Sequence, residues 1–381
     1  MDRLANPLLL DLIYDLANYS IFCCIFFYLY KKSLINLNLF LVCAVLMATP
    51  FLLNNSIIHW YILPDQSKYL GLSYEIRSNY NNFLYIKETF YKIFNSPHAK
   101  MYITSYLYAS SPLINIETFK SIGLLNRFLL IGTTLFFFRK HMLNPYVLAA
   151  IIFSPSLTLY SSVSLRDVTI LIVMIWFVYF FVEKKYLLSL IMFSLIYLMK
   201  SQNLLILSLF IILYLGSAFR VKKVFFIPII IVSILIIIFA GSFLVEELNS
   251  ARKGLYLEEH GRYKGLTAIH RYEDIVLDFR LVIISLKSFF YFLLSPITKL
   301  NSLSKILICL EAVLLYGVII HQLISSKKSS RYWAITWFLI FIFSMMIYGI
   351  ATFNDGTIHR FRTPLLFFVL FGFSICTAKK R

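Results

Sequence analysis

Ser161-Ser162-Val163-Ser164-Leu165-Arg166-Asp167 is a polar gap of seven residues between two strongly apolar runs, Tyr146 to Tyr160 and Val168 to Val182. The second run ends at once in Glu183-Lys184-Lys185. Two membrane spans joined by a short polar turn account for this pattern, because each run approaches the length a bilayer requires. On that reading Arg166 and Asp167 sit at the mouth of the span pair, on the face opposite the lysines.

The rest of the chain repeats the pattern. Of 381 residues, 60% are hydrophobic, 18% aromatic and only 14% charged, and the mean hydropathy is +0.79. Soluble domains carry about 25% charged residues, so an all-α integral membrane protein is expected. The net charge of +18 does not point to nucleic acid, because the cations fall in short clusters between apolar runs. All five cysteines, Cys23, Cys24, Cys43, Cys309 and Cys376, lie inside those runs and read as small packing residues. Asp2, Arg3, Asp11 and Asp15 interrupt the stretch where a cleavable leader would need a clean apolar segment.

About eleven spans are expected: Leu10 to Tyr30, Leu37 to Leu53, Ile122 to Phe138, Tyr146 to Tyr160, Val168 to Val182, Tyr186 to Met199, Leu204 to Phe219, Val224 to Val245, Ile306 to Ile324, Trp333 to Ala351 and Pro364 to Thr377. Leu281 to Leu294 carries Lys287 and stops at Ser295-Pro296, so it reads as interfacial or re-entrant. With alternate ends on opposite sides, six clusters fall on one face: Lys31-Lys32, Arg139-Lys140, Lys184-Lys185, Arg220 to Lys223, Lys327 to Arg331 and Lys379 to Arg381. Cytoplasmic loops carry this bias, so the C-terminus is expected inside and the N-terminus outside. The chain is then one polytopic domain, residues 1–381, whose two long outer loops, about 59–119 and 246–304, hold most of the remaining acids. Loops on a rigid scaffold present function, so the work is expected on the outer face.

Four places there could carry chemistry. Asp65, in Pro64-Asp65-Gln66-Ser67-Lys68-Tyr69, could act as general base for a sugar hydroxyl; the plainer reading is a Pro-Asp turn leading into a surface helix. Arg166 could hold a phosphate with Asp167 orienting it, or the two could simply cap a span and reach for lipid headgroups. Lys200, in Lys200-Ser201-Gln202-Asn203, offers a second phosphate contact or an interfacial anchor. In the last outer turn, Thr352 to Pro364, His359, Arg360 and Arg362 stand against the positive-inside tendency, and an anionic lipid-linked phosphate would explain them. No metal-ligand spacing, paired-carboxylate motif or glycine-rich phosphate loop is present, so neither a metal nor a cofactor is expected. Asp11, Asp15, Arg127 and Glu311 are the charges inside the runs.

Taken in order, several of these pieces resemble bacterial polysaccharide and O-antigen polymerases (Wzy and EpsG-like) and the related GT-C membrane glycosyltransferases. They are Asp65 followed by Tyr69, the turn from Tyr160 to Arg166-Asp167, the segment Phe289 to Pro296 ending in Ser-Pro, and Gly356-x-x-x-Arg360-x-Arg362-x-Pro364. The resemblance implies acceptor activation by Asp65 and retention of a polyprenyl phosphate by Arg166, Arg360 and Arg362. It implies an inner-membrane enzyme working at the periplasmic face on an undecaprenyl-(pyro)phosphate-linked glycan, beside chain-length regulator and flippase proteins. The adjacent acids that many GT-C members show in the first loop are missing here. A transferase adding one sugar from polyprenyl phosphate and a lipid-linked oligosaccharide flippase are the alternatives; a purely structural assembly partner fits the two long polar loops less well.

Overall fold

The computed structural model describes residues 9–54, 65–95, 99–218, 279–295, 303–326, 330–352 and 355–378, with isolated positions at 249, 252, 253, 274 and 276. Among them the chain is all-helical and has no strand. It divides into two compact units, Met1–Ser201 and Gln202–Arg381.

The first unit runs α1 (Leu9–Lys31), α2 (Leu37–Met47), α3 (Thr49–Leu53), α4 (Asp65–Ser78), α5 (Phe83–Asn95), α6 (Ala99–Ala109), α7 (Phe119–Arg139), α8 (Pro145–Phe153), α9 (Pro155–Ser162), α10 (Asp167–Val182) and α11 (Tyr186–Lys200). The second runs α12 (Gln202–Ala218), α13 (Phe279–Leu294), α14 (Leu303–Ile324), α15 (Arg331–Ala351) and α16 (Asp355–Ala378).

Polarity in these helices is turned inside out. In α1, Asp11, Asp15 and Asn18 are buried, while Leu10, Leu12, Ile13 and Leu16 lie exposed. In α13, Ser285 and Ser288 are buried and Ile283, Leu286, Phe290 and Leu294 are exposed. A helix facing water shows the reverse; a helix facing lipid turns its polar groups towards protein partners. Asp15 and Asn18 have such partners: Thr118 Oγ1 donates to Asp15 Oδ1 at 2.6 Å, and Asn18 bonds both Ile114 N and Asn115 O.

Among the described residues four helices are long and apolar enough to cross a membrane, Leu10–Lys31, Phe119–Arg139, Arg331–Ile350 and Thr357–Ala378, and a fifth counts if α9 and α10 form one bent span. That falls short of the eleven expected, for local reasons. The run Tyr146 to Tyr160 divides at Ser154, whose hydroxyl caps Leu157 N at 2.9 Å ahead of Pro155, giving two helices of 9 and 8 residues. Leu37 to Leu53 divides at Ala48, where Pro50 opens a new helix. Val224 to Val245 lies outside the described residues. The other expected spans form helices shorter than the roughly 20 residues a bilayer needs, or fall below it in apolar length.

The expected outer turn Thr352 to Pro364 is also corrected. It is helical from Asp355 onwards, with Pro364 inside α16. Pro364 lies beyond the first turn, where a proline would be costless, so α16 forgoes a backbone hydrogen bond there; the Arg-rich stretch is nonetheless the beginning of a helix rather than a loop.

Three helices of the first unit, α1, α7 and α10, end alike. Ser33, His141 and Lys184 adopt left-handed φ of 55°, 54° and 60°. Leu34, Met142 and Lys185 then donate backbone N–H groups to Leu29, Phe137 and Phe180. That closure satisfies the last carbonyls of each helix, and it falls at each of the three basic clusters of this unit.

The centre of the first unit is α7, set against α2, α3, α9, α10 and α1. Its face Gly123, Asn126, Arg127 and Leu130 repeats at i, i+3, i+4 and i+7 and is buried throughout. Gly123 lets this face approach the end of α9: a Cβ there would lie 2.3 Å from Ser162 O. In the second unit Gly349 likewise admits Ser288 O, at 2.4 Å from a built Cβ. Small residues permit such backbone contact between helices in lipid. Gly123→Val should therefore cost about 3 kcal/mol, because the clash is with backbone. Gly132→Val, on the same helix with nothing within 4 Å of a built Cβ, should cost less than about 1 kcal/mol. Thermal unfolding of the two variants in detergent checks the difference.

Candidate functional site

The polar gap Ser161 to Asp167 is buried, apart from Arg166. Ser161, Ser162 and Ser164 are fully inaccessible and Asp167 nearly so. The reason is a sharp break in the chain: α9 and α10 meet at 106°, and the four residues between them make no helix. Their backbone groups need other partners, and side chains of neighbouring helices supply them. Asn126 Nδ2 donates to Val163 O at 3.0 Å and Leu165 O at 2.9 Å. Asn54 Nδ2 donates to Ser162 O at 3.2 Å and Phe119 O at 2.7 Å. Gln66 Oε1 accepts from Ser164 N at 3.0 Å. Arg127, buried in α7, donates to Ser161 Oγ at 2.8 Å and to Leu46 O at 3.0 Å, and Thr49 and Ser162 hydroxyls meet at 2.8 Å. Tyr108 donates to Leu165 O at 3.1 Å, and burial pushes its phenol above the ordinary range.

Arg166 emerges from this seam half-buried. Its Nη1 donates to Met199 O at 3.0 Å and Lys100 O at 3.2 Å, and its guanidinium lies 5.9 Å from the Tyr69 ring centroid, within cation–π range. Met199 O belongs to the last turn of α11, where carbonyls lack helical partners and a cation is favoured. No ion pair to a carboxylate is formed by Arg166 among the described residues. Lys200 follows Met199 and is buried at the end of α11. Asp167 opens α10, where the helix dipole favours an anion.

Asp65 opens α4, one turn ahead of Tyr69. It pairs with Lys68 at 3.8 Å, with the two side chains 40% and 46% exposed; a surface pair of this kind contributes little to stability. Asp65, Tyr69, Arg166, Asp167 and Lys200 are thus gathered in one unit around one break, though the chain separates them by up to 135 positions.

His359, Arg360 and Arg362 lie in the second unit, on α16. Arg362 is 1% exposed and turns inward. Its Nη2 approaches His359 Nδ1 at 3.2 Å and its Nη1 donates to Phe292 O at 3.4 Å. A guanidinium has no lone pair to offer, so His359 presents the Nδ1 lone pair to it. Arg360 is half-buried, with its guanidinium 5.9 Å from the Phe361 ring centroid.

Sequence reasoning missed Asn54, Gln66 and Asn126, the three amides that hold the break. A signal existed for Asn126 alone, in its i+3 spacing from Gly123 beside a charged Arg127. Among the described residues no group of three His, Cys, Asp or Glu side chains could hold a metal ion. Comparisons with protein-family models, with curated proteins and with solved structures give no match to this chain.

Scaffold and surface cation should separate in a stability measurement. Asn126→Leu removes the buried bonds of Asn126 Nδ2 to Val163 O and Leu165 O and of the Thr169 hydroxyl to Asn126 Oδ1, and should cost about 3 kcal/mol. Arg166→Ala leaves its carbonyl partners near solvent and should cost about 1 kcal/mol. Thermal midpoints in detergent compare the two directly.

Proposed function

We propose that this protein is a bacterial inner-membrane glycosyltransferase that joins saccharide units at the periplasmic face, most specifically an O-antigen or polysaccharide repeat-unit polymerase using an undecaprenyl-linked donor. The observation that carries the reading is the meeting of Arg166, Tyr69 and the first turn of α4, bearing Asp65, at the break between α9 and α10. A half-exposed guanidinium bonded only to carbonyl groups suits an anionic group, and a carboxylate one helical turn from its stacking ring suits proton removal.

In this mechanism the acceptor hydroxyl attacks the anomeric carbon of the donor while Asp65 takes its proton. The bond from that carbon to the lipid pyrophosphate breaks, and the pyrophosphate departs with the electron pair. Arg166 and Lys200 stabilise the departing charge, with Asp167 and Tyr69 in support. Arg360 serves as the accessible cation of the second unit, with Arg362 and His359 packed behind it. Each phosphate contact strengthened in the transition state would contribute about 10²-fold or more in rate. The full reading has eleven crossings, an outer N-terminus and a cytoplasmic C-terminus, and the six basic clusters support that sidedness. A transferase adding a single sugar from polyprenyl phosphate would use the same residues.

One observation favours a flippase instead: Arg127 and Arg362 are buried within helices long enough to span, and intramembrane charges mark transport pathways. Deleting the gene and resolving lipopolysaccharide on a gel tests these readings. A polymerase predicts loss of the ladder with a single repeat retained; a single-sugar transferase predicts a uniform shift. A flippase predicts repeat units stranded on their lipid in the inner leaflet. Arg166→Ala and Arg360→Ala should each reproduce the deletion at normal membrane levels, and full activity in both would refute the phosphate assignment.

A further inference from the structure

The two faces of α5 differ in kind. Thr89 and Ile93 are buried, and half-buried Tyr85 bonds Glu75 of α4 as well as Thr89, so one face is fixed to the rest of the first unit. Leu84, Lys87 and Tyr91, at i, i+3 and i+7, make the opposite face. Leu84 is 74% exposed and Tyr91 67%, with Phe90 beside them at 43%. A helix bathed by water carries polar residues on its outward face. Large apolar side chains left uncovered together mark contact with a membrane or with another protein.

The position of α5 in the fold favours the membrane. α7 is long and apolar enough to span, so its first turn stands at a membrane surface. Both ends of α4 are tied near that turn: Gln66 accepts from Ser164 N, whose hydroxyl donates to Phe119 O, and Arg77 donates to Leu113 O. α6 is tied there too, through Tyr108 and Leu165 O. α5 lies between α4 and α6 in the chain and packs against α6. The start of α1 is at the same level, through Asp15 and Thr118, and there it turns Leu10, Leu12, Ile13 and Leu16 outward. The exposed face of α5 thus continues a surface already turned to lipid. Tyrosine is enriched where protein passes from lipid to water, and eight of the chain's 26 tyrosines fall between positions 65 and 109.

We propose that α5 lies in the plane of the membrane surface at the start of α7, as an anchor that binds anionic phospholipid. Leu84, Phe90 and Tyr91 enter the boundary between headgroups and acyl chains, as the apolar face of an interfacial helix does. Lys87 meets a headgroup phosphate. It is exposed and makes no ion pair among the described residues, whereas its acidic neighbour Glu88 is engaged by Lys92 at 2.6 Å. The face is therefore cationic and matches a negative lipid surface. Anchoring α5 also steadies α6, whose Lys100 O accepts from Arg166, so the half-buried guanidinium opens at headgroup depth. None of this depends on glycosyl transfer.

Nitroxide labels at Leu84→Cys and Tyr91→Cys test the contact, each in the full chain freed of its native cysteines and set in phosphatidylglycerol nanodiscs. Both positions are exposed, so packing should survive, and an unchanged thermal midpoint checks that it does. Collisions with oxygen should exceed those with a water-soluble nickel chelate at both labels. A chelate excess at either label places the face in water and overturns the proposal. Exclusion of both reagents also overturns it, with spin–spin broadening identifying a second copy as the cover and its absence another part of this chain. In phosphatidylcholine nanodiscs the labels should sit shallower, and Lys87→Gln should abolish the difference between the two lipids. Equal depth in both lipids with Lys87 present overturns the assignment of an anionic headgroup.

Discussion

A chain that breaks its helices among apolar surroundings has to find hydrogen-bond partners for every freed backbone group, and the first unit is arranged around that requirement. Between Ser162 and Asp167 the backbone is neither helix nor surface loop. Each freed carbonyl costs on the order of 1–3 kcal/mol if left alone. Asn126, Asn54, Gln66 and Tyr108 satisfy the break from four different segments. Because those partners must reach the same few atoms, they fix the position of α7 against α9, the entry of α4 and the packing of α6. The close approach allowed by Gly123 serves the same end.

The functional geometry follows from the break. A continuous helix through Arg166 would carry its side chain along one helical face with the neighbouring apolar residues. The turn of 106° instead lets Arg166 leave the buried seam beside the end of α11 and over Tyr69. The interior residues hold the break, and Arg166 is the half-buried residue that leaves it. Arg127, although charged, belongs with the former, buried and bonded to Leu46 O and Ser161 Oγ; in the second unit Arg362 is likewise buried, against Phe292 O and His359.

Composition and the spacing of basic clusters were enough to read an all-helical chain built for lipid, because an apolar run must be long to matter and the cations sit at its ends. The approximate ends of α1, α7 and α10 were legible for that reason. The divisions at Ser154 and Ala48 were not. A serine or threonine before proline is unremarkable within an apolar run, and only the structure shows that a new helix starts there, capped by Ser154 in one case and opened by Thr49-Pro50 in the other. The helical start of α16 was hidden because Gly356 and Thr357, with the charged Asp355, Arg360 and Arg362, look like a turn. At the site, Asp65, Arg166 and Lys200 stood out as polar residues beside apolar runs. Asn54, Gln66 and Asn126 did not, since an uncharged amide changes hydropathy little and its partners lie 37 to 108 positions away in sequence. Long-range pairing of that kind is fixed by packing and leaves no local pattern.

The central claim is that the α9–α10 break is clamped onto α3 and α7 in the membrane-embedded protein. The hydroxyls of Thr49 and Ser162, 2.8 Å apart, give the most direct measurement, since sulfur atoms in their place would need only a small shift to bond. In a background freed of the native cysteines, Thr49→Cys together with Ser162→Cys should form a disulfide in isolated membranes under mild oxidation, seen by peptide mapping. Persistence of two freely alkylated thiols, under conditions where a control pair across α10 and α11 links, would contradict the account.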